Sequence, residues 1–288
     1  MRPKSLRVRK AKEAAYLAGF VLAVLAALAV LGVLLWSIVA QAWPQLRWSL
    51  LTNYPLTDST RVSEAGYASA IVGTLWVVGL TLALSLPLGI GAGIYLEEYA
   101  RQSRISRVLQ AGVTNLAGVP SVVFGLLGLA LFVRAFGLGK VVLAASLTLT
   151  ILVFPYVVIT TREAIRAVPQ SIRDGSLALG ATKWQTIRKQ VLPAAAPGLL
   201  TGSIIAAARA MGETAPLIVL GSIPLMQFLP WGPDSLFVVM PVQIYAYFKT
   251  GPAWHGVAAA GMVILLLILF AVNGAAVVLR NRLQRQRW

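Results

Sequence analysis

Arg209-Ala-Met-Gly-Glu213 places an arginine and a glutamate four residues apart inside an otherwise apolar run. At that spacing two side chains leave a helix on nearly the same face and can neutralise each other. One charge at membrane depth costs roughly 2.5–3.5 kcal/mol on insertion scales, so such residues face a bundle interior or water. Two roles are open for the pair. It is an ion pair that fixes packing, or it is the polar point on a path for an anion, whose oxygens suit the planar donor fork of arginine. Thr214 and Pro216 follow at once, and a second proline lies in Gly118-Val-Pro120-Ser121. A proline within a helix removes an amide and leaves the carbonyl four residues earlier, here Leu116 and Gly212, without its helical partner. Irregular backbone at membrane depth is tolerated only against protein or beside a wet cavity. Pro120 and Pro216 are therefore candidate helix breaks in the wall of a path, with Ser121 and Thr214 beside them; at Pro120 a kink sealed by neighbouring helices is an equal alternative.

Other chemistry lacks its parts. There is no cysteine, and His255 is the only histidine, so neither a thiolate site nor a paired-imidazole metal site can form. No catalytic residues and no metal ligands are assigned. A phosphate-cradling loop ending in Gly139-Lys140 would need glycine at position 134, which is Arg134. Gly89-Ile-Gly91 begins a dinucleotide fingerprint, but no strand precedes it. ATP therefore has no site of that kind here, and energy for work against a gradient must come from the membrane potential or a partner.

Hydrophobic residues make up 58% of the 288 positions and charged ones 12%, too little polar surface for a soluble globule. The sequence predicts an all-α polytopic membrane protein with six spans, at 14–39, 68–96, 105–133, 141–161, 194–221 and 256–279. The first is too long for a secretory signal core. The net charge of +16 raises nucleic acid as a partner, and its distribution removes that reading. With the amino terminus in the cytosol, basic residues concentrate before Ala14, at Arg101, Arg104 and Arg107, in the segment 162–193, and after Leu279. Only Arg47, Arg61, Arg134, Lys140 and Lys249 fall on the other side. This is the positive-inside bias, and it predicts both termini in the cytosol and a bilayer as the surrounding partner. Gly89 with Gly93, and Gly198 with Gly202, have the spacing that lets helices approach closely.

The segment 162–193 is a polar, basic island between two apolar runs, with Arg162, Arg166, Arg173, Lys183, Arg188 and Lys189 against Glu163 and Asp174. It predicts two short helices meeting at Gly180, a handle for a soluble partner. The order Asp174-Gly175-Ser176, then Gly180, then Leu192-Pro193 resembles the coupling loop of ABC importer permeases. Gly118-Val-Pro-Ser-Val-Val-Phe-Gly125 and Arg209-Ala-Met-Gly-Glu-Thr-Ala-Pro216 resemble the third-span and fifth-span signatures of phosphate-specific ABC permeases. The Glu-Thr-Ala-Pro ending, Met240-Pro-Val-Gln-Ile-Tyr245 in the last outer loop, and Asn273 with Arg280 to Arg282 are similar to the PstA type rather than the PstC type. The likeness runs from about Leu50 to the end. Asp174-Gly-Ser stands where the family has Glu-Ala-Ala, and Gln190 where an aliphatic residue is common.

The resemblance implies a type I permease fold and a conduit subunit without its own ATPase site, importing inorganic phosphate across the inner membrane. It implies a PstC-like second permease forming a heterodimer, two PstB-like cytosolic ATPases that bind ATP, and a PstS-like phosphate-binding protein; no cofactor is expected on this chain. Arg209, Glu213, Thr214 and Ser121 would line the substrate pathway. Asp174, Gly175, Ser176, Gly180, Lys183 and Trp184 would meet the ATPase. The chain then divides into a basic tail (1–13), a first helix (14–39), an outer loop (40–67), a permease unit (68–279) and a second basic tail (280–288). The rivals are a molybdate- or sulfate-type permease, an ion-coupled transporter using Glu213 as a proton site, and a membrane-embedded enzyme.

Overall fold

The computed structural model describes residues 6–100 and 104–285. Parts of both basic tails and Arg101 lie outside the described residues. Helix α1 (Leu6–Ala42) is followed by short turns and then α2 (Ala68–Ile94), which widens into a π-turn at Tyr95–Tyr99. Next come α3 (Arg104–Ala117) and α4 (Ser121–Gly128), the latter continuing through a wide turn to Ala135. Helix α5 (Val142–Arg166) leads into the short α6 (Gln170–Ala178) and α7 (Lys183–Thr186). After Ile187–Val191 the chain runs through α8 (Leu192–Gly212), α9 (Ala215–Leu220), α10 (Met240–Thr250) and α11 (His255–Arg285). Among the described residues five helices are long and apolar enough to cross a membrane, or six if one bent pair is a single span.

Helix α5 is the spine. Two thirds of its apolar window (67%) is buried against neighbouring helices, whereas none of the window in α1 is. Small residues on its neighbours create the seats. A Cβ added at Gly89 or Gly93 of α2 would come within 2.6 Å of Val157 or Thr161, and one at Gly202 of α8 within 2.5 Å of Thr160. Gly198 faces Ala164 in the same way. The four-residue glycine spacing thus serves packing, as expected, and it sets α5 between α2 and α8. Hydroxyls buried in this contact bond to backbone carbonyls, as where Ser146 Oγ donates to Val77 O across to α2 at 3.2 Å.

Three expectations need correction. The third span is not one helix: α3 and the α4 segment meet at 101°. Pro120 has no amide and lies in an extended conformation (φ −55, ψ 135) at the head of α4, so the helix restarts there instead of merely kinking. The Leu116 carbonyl is not left open, since the Val119 amide donates to it at 3.2 Å. The last loop also contains a helix, α10, begun by Pro241 in its first turn and ended at Gly251. Its Met240, Val242, Gln243, Ile244 and Tyr247 are buried, and Tyr67, Tyr247 and Trp254 pack ring to ring beside α11. Finally, Arg162, Glu163 and Arg166 belong to the last turns of α5, so the hairpin proper starts after Arg166.

The spine arrangement predicts that Gly202→Val, which drives a side chain into Thr160, lowers stability by roughly 1–3 kcal/mol. Gly91→Ala, which meets nothing within 4 Å, serves as the neutral control. Thermal unfolding of the two purified variants checks this, and equal melting temperatures would refute the seat.

Candidate translocation path and hairpin

Helix α8 ends at Gly212, and Glu213 is already extended (φ −73, ψ 120). Arg209 and Glu213 therefore do not share a helix face; the glutamate reaches back from just beyond the helix end. Their closest approach is 3.5 Å, from Arg209 Nε to Glu213 Oε1, and that Nε has no hydrogen-bond partner. The Arg209 side chain is 38% exposed and that of Glu213 15%, so the arginine is only partly enclosed in this chain.

The stronger partner of Arg209 is Tyr156 of α5, a residue with no signal in the sequence. The guanidinium carbon lies 3.9 Å from the Tyr156 ring centroid, a cation–π contact that holds the charge over an aromatic face. The Tyr156 hydroxyl donates to Ala117 O at 2.6 Å. One side chain thus links α5, the arginine on α8 and the last residue of α3, three positions before Pro120.

The two backbone breaks also touch. Pro216 Cα would be 2.7 Å and its carbonyl oxygen 2.8 Å from a Cβ on Gly125, so α4 and α9 pack backbone to backbone where only glycine fits. Pro216 sits in the first turn of α9, and the break falls at Glu213 and Thr214. Thr214 Oγ1 donates to Gly212 O at 3.3 Å, which supplies the carbonyl that lost its helical partner. Ser121 opens α4, half-buried, and Thr214 stands just ahead of α9. Arg209 and Glu213 are brought together; among the described residues no side-chain hydrogen bond joins Ser121 or Thr214 to either of them.

At the other end of α5, α6 and α7 form the hairpin. Gly180 turns it with φ +83, a left-handed conformation that suits glycine. Thr182 and Gln185 close a reciprocal cap on α7, and Ser176 Oγ lies 2.9 Å from Thr186 Oγ1, tying the limbs together. The basic residues are less free than their number suggests. Glu97 holds Arg162 and Arg166 at 3.1 and 2.9 Å, and Glu98 holds Arg173 at 2.8 Å. Arg173 also donates to the carbonyls of Val168 and Ile165 at 2.7 and 2.9 Å. Lys183 bonds to the Glu98 carbonyl and lies over the Tyr99 ring, so it faces the end of α2. Asp174 accepts from Gln170 Nε2 at 3.0 Å. The hairpin turns four large apolar side chains outward, Leu179 (90% exposed), Trp184, Leu177 and Ile172, beside exposed Arg188 and Lys189. They accompany exposed Gly175 and Gly180.

Glu97 and Glu98, absent from the sequence reading, had one legible sign. They are the only adjacent acidic pair in a chain with nine acidic residues. Among the described residues no group of three or more His, Cys, Asp or Glu could hold a metal.

Residues 85–285 match the family of binding-protein-dependent transport system inner membrane components. The chain is 35% identical to phosphate transport system permease protein PstA 1 of Mycobacterium tuberculosis, across 99% of this chain and 94% of that protein. It is 31% identical to the PstA permease of Haemophilus influenzae, covering 83% of each. It is 29% identical to the probable ABC transporter permease protein YqgI of Bacillus subtilis, covering 83% and 85%. Among solved structures it superposes on the inward-facing MetNI methionine ABC transporter with a TM-score of 0.62 at 19% identity, over 75% of this chain and 96% of that one. A bacterial alginate ABC transporter with its periplasmic protein gives 0.64 at 15% identity, over 95% and 96%. The shared fold is that of type I ABC importer permeases.

The ion pairs at the hairpin differ in burial, and their worth should differ with it. Arg173 and Glu98 are 13% and 9% exposed, whereas Arg61 and Glu64 are 55% and 51% exposed. Glu98→Ala strands a buried guanidinium and should cost about 3–5 kcal/mol, while Glu64→Ala, whose pair lies in solvent, should leave the melting temperature nearly unchanged. Thermal unfolding of both variants tests this; a similar small loss in each would contradict the buried tie.

Proposed function

The chain belongs to the binding-protein-dependent inner membrane component family of multi-pass ABC importer permeases, and on that premise we propose that it is a PstA-type subunit that conducts inorganic phosphate. The observation that carries this reading is the position of Arg209. Its guanidinium is poised at the broken end of α8, beside Tyr156, with an unused Nε and only a loose contact to Glu213. An anion crossing a medium of low dielectric constant needs compensating positive charge on its way. A guanidinium can offer paired donors to phosphate oxygens without first breaking a tight salt bridge. Glu213 then shields Arg209 when no anion is present. The relatives named as phosphate permeases support phosphate as the anion.

The same reading supplies partners. A PstC-like permease would complete the conduit, since Arg209 is only partly enclosed by this chain. Two PstB-like ATPases in the cytosol would hydrolyse ATP, one of them seated on the outward face of the hairpin around Gly180, Leu179 and Trp184. A PstS-like protein would deliver phosphate to the opposite side. The charge distribution supports an orientation with both termini and the hairpin in the cytosol. The internal use of Lys183 and Ser176 favours Trp184 and the apolar tip over those two as contact residues.

Phosphate uptake by cells carrying Arg209→Gln is the test. Loss of charge-assisted hydrogen bonds of about 1.5–3 kcal/mol predicts a fall of roughly ten- to a hundredfold, with the complex still assembled in the membrane. Undiminished phosphate uptake would overturn the role of Arg209, and uptake of sulfate or molybdate in place of phosphate would overturn the choice of anion.

A further inference from the structure

Near the hairpin lies a half-open cavity of about 520 Å3, bordered by the end of α2, the first turns of α3 and the last turns of α5. Three guanidiniums line it, Arg107, Arg162 and Arg166, with one carboxylate, Glu97. That carboxylate is already shared between two of them. Arg162 Nε donates to Glu97 at 3.1 Å, and Arg166 donates through Nε and Nη2 at 2.9 Å each. A guanidinium has five N–H donors and no acceptor. Arg162 and Arg166 thus keep most of their donors, and Arg107 forms no ion pair among the described residues. The lining has a net positive charge and far more donors than acceptors.

Such a set is matched by a ligand with several oxygens on one centre. We infer that this cavity binds a phosphate group, with Arg107 as its free cationic wall. Guanidinium forks pair with phosphate oxygens in a bidentate manner, and basic pockets between helices at a membrane surface take anionic headgroups. The position suits both sources of that chemistry. The pocket lies at the height where α5 leaves its apolar stretch, and Ile105, Val108 and Leu109 of α3 are exposed next to Arg107. An acyl chain could lie along those side chains while its headgroup phosphate enters the cavity. Alternatively, free phosphate released at this end could occupy it. The inference is separate from the transport reading: the cavity lies where α2, α3 and α5 end or begin near the hairpin and not at Arg209, and it stands even if the transported anion is another.

The test uses the full chain purified with its co-purifying partners and two probes. Native mass spectrometry compares retained phosphatidylglycerol with phosphatidylcholine, and phosphorus NMR saturation transfer reports inorganic phosphate. Arg107 is exposed and unpaired, so Arg107→Gln and Arg107→Glu should fold, which the melting temperature verifies. A headgroup site predicts preferential retention of phosphatidylglycerol that weakens about fivefold in Arg107→Gln and further in Arg107→Glu. A free-phosphate site predicts no lipid preference, with a phosphate signal that weakens in the same order. Either pattern supports the site and identifies its source. If the unsubstituted protein discriminates neither probe, or if both variants bind as it does, the inference is overturned.

Discussion

A guanidinium placed at membrane depth, beside two breaks in the backbone, is the constraint that the rest of the molecule answers. Arg209 carries a cost of a few kcal/mol at such a site, and each break frees backbone groups that lipid cannot satisfy. The structure meets both with few residues. Tyr156 covers the guanidinium and satisfies the carbonyl of Ala117. Thr214 satisfies Gly212, and Gly125 lets the Pro216 backbone fill the remaining space. The breaks are thus sealed on one side by protein while Arg209 stays partly open on the other. Apolar residues could have packed these helices at lower cost, and that cost is what supports the proposed path.

Helix α5 joins this centre to the hairpin. Tyr156 and Arg166 are ten residues apart on one unbroken helix, about 15 Å along its axis. Arg162 and Arg166 bind Glu97, and Arg173 binds Glu98, at the end of α2. The hairpin is therefore tied to the end of α2 by the buried Arg173–Glu98 pair and to α5 by the Arg173 bond to the Ile165 carbonyl. In the transport reading, that is how ATP-driven movement at Gly180 and Trp184 would shift the aromatic ring against which Arg209 rests.

Features with local causes were legible in the sequence. The Gly180 turn, the break before Pro216 and the glycine seats each follow from a missing Cβ or a missing amide, and those act within a turn or against one neighbour. Features made by distant pairs were not. Tyr156 meets Ala117 from 39 positions away and Arg173 meets Glu98 from 75, and nothing in either residue's surroundings announces the partner. The basic island accordingly looked more available than it is. The missing amide at Pro120 marks a break or a kink alike, whereas the 101° turn depends on what α3 and α4 separately pack against. Helix α10 was hidden because eleven residues are too few to cross a membrane, and its Pro241 and Gly251 also serve as loop signals.

The claim that Arg209 acts as a directed positive charge on the path is tested most directly by exchanging it with its neighbour. Phosphate uptake and complex assembly are measured together in the double variant Arg209→Glu with Glu213→Arg. The charges are kept in number but the arginine no longer faces Tyr156, so the account predicts an assembled complex that does not transport. Full transport by that variant would show that the two residues are only an ion pair, and would contradict it.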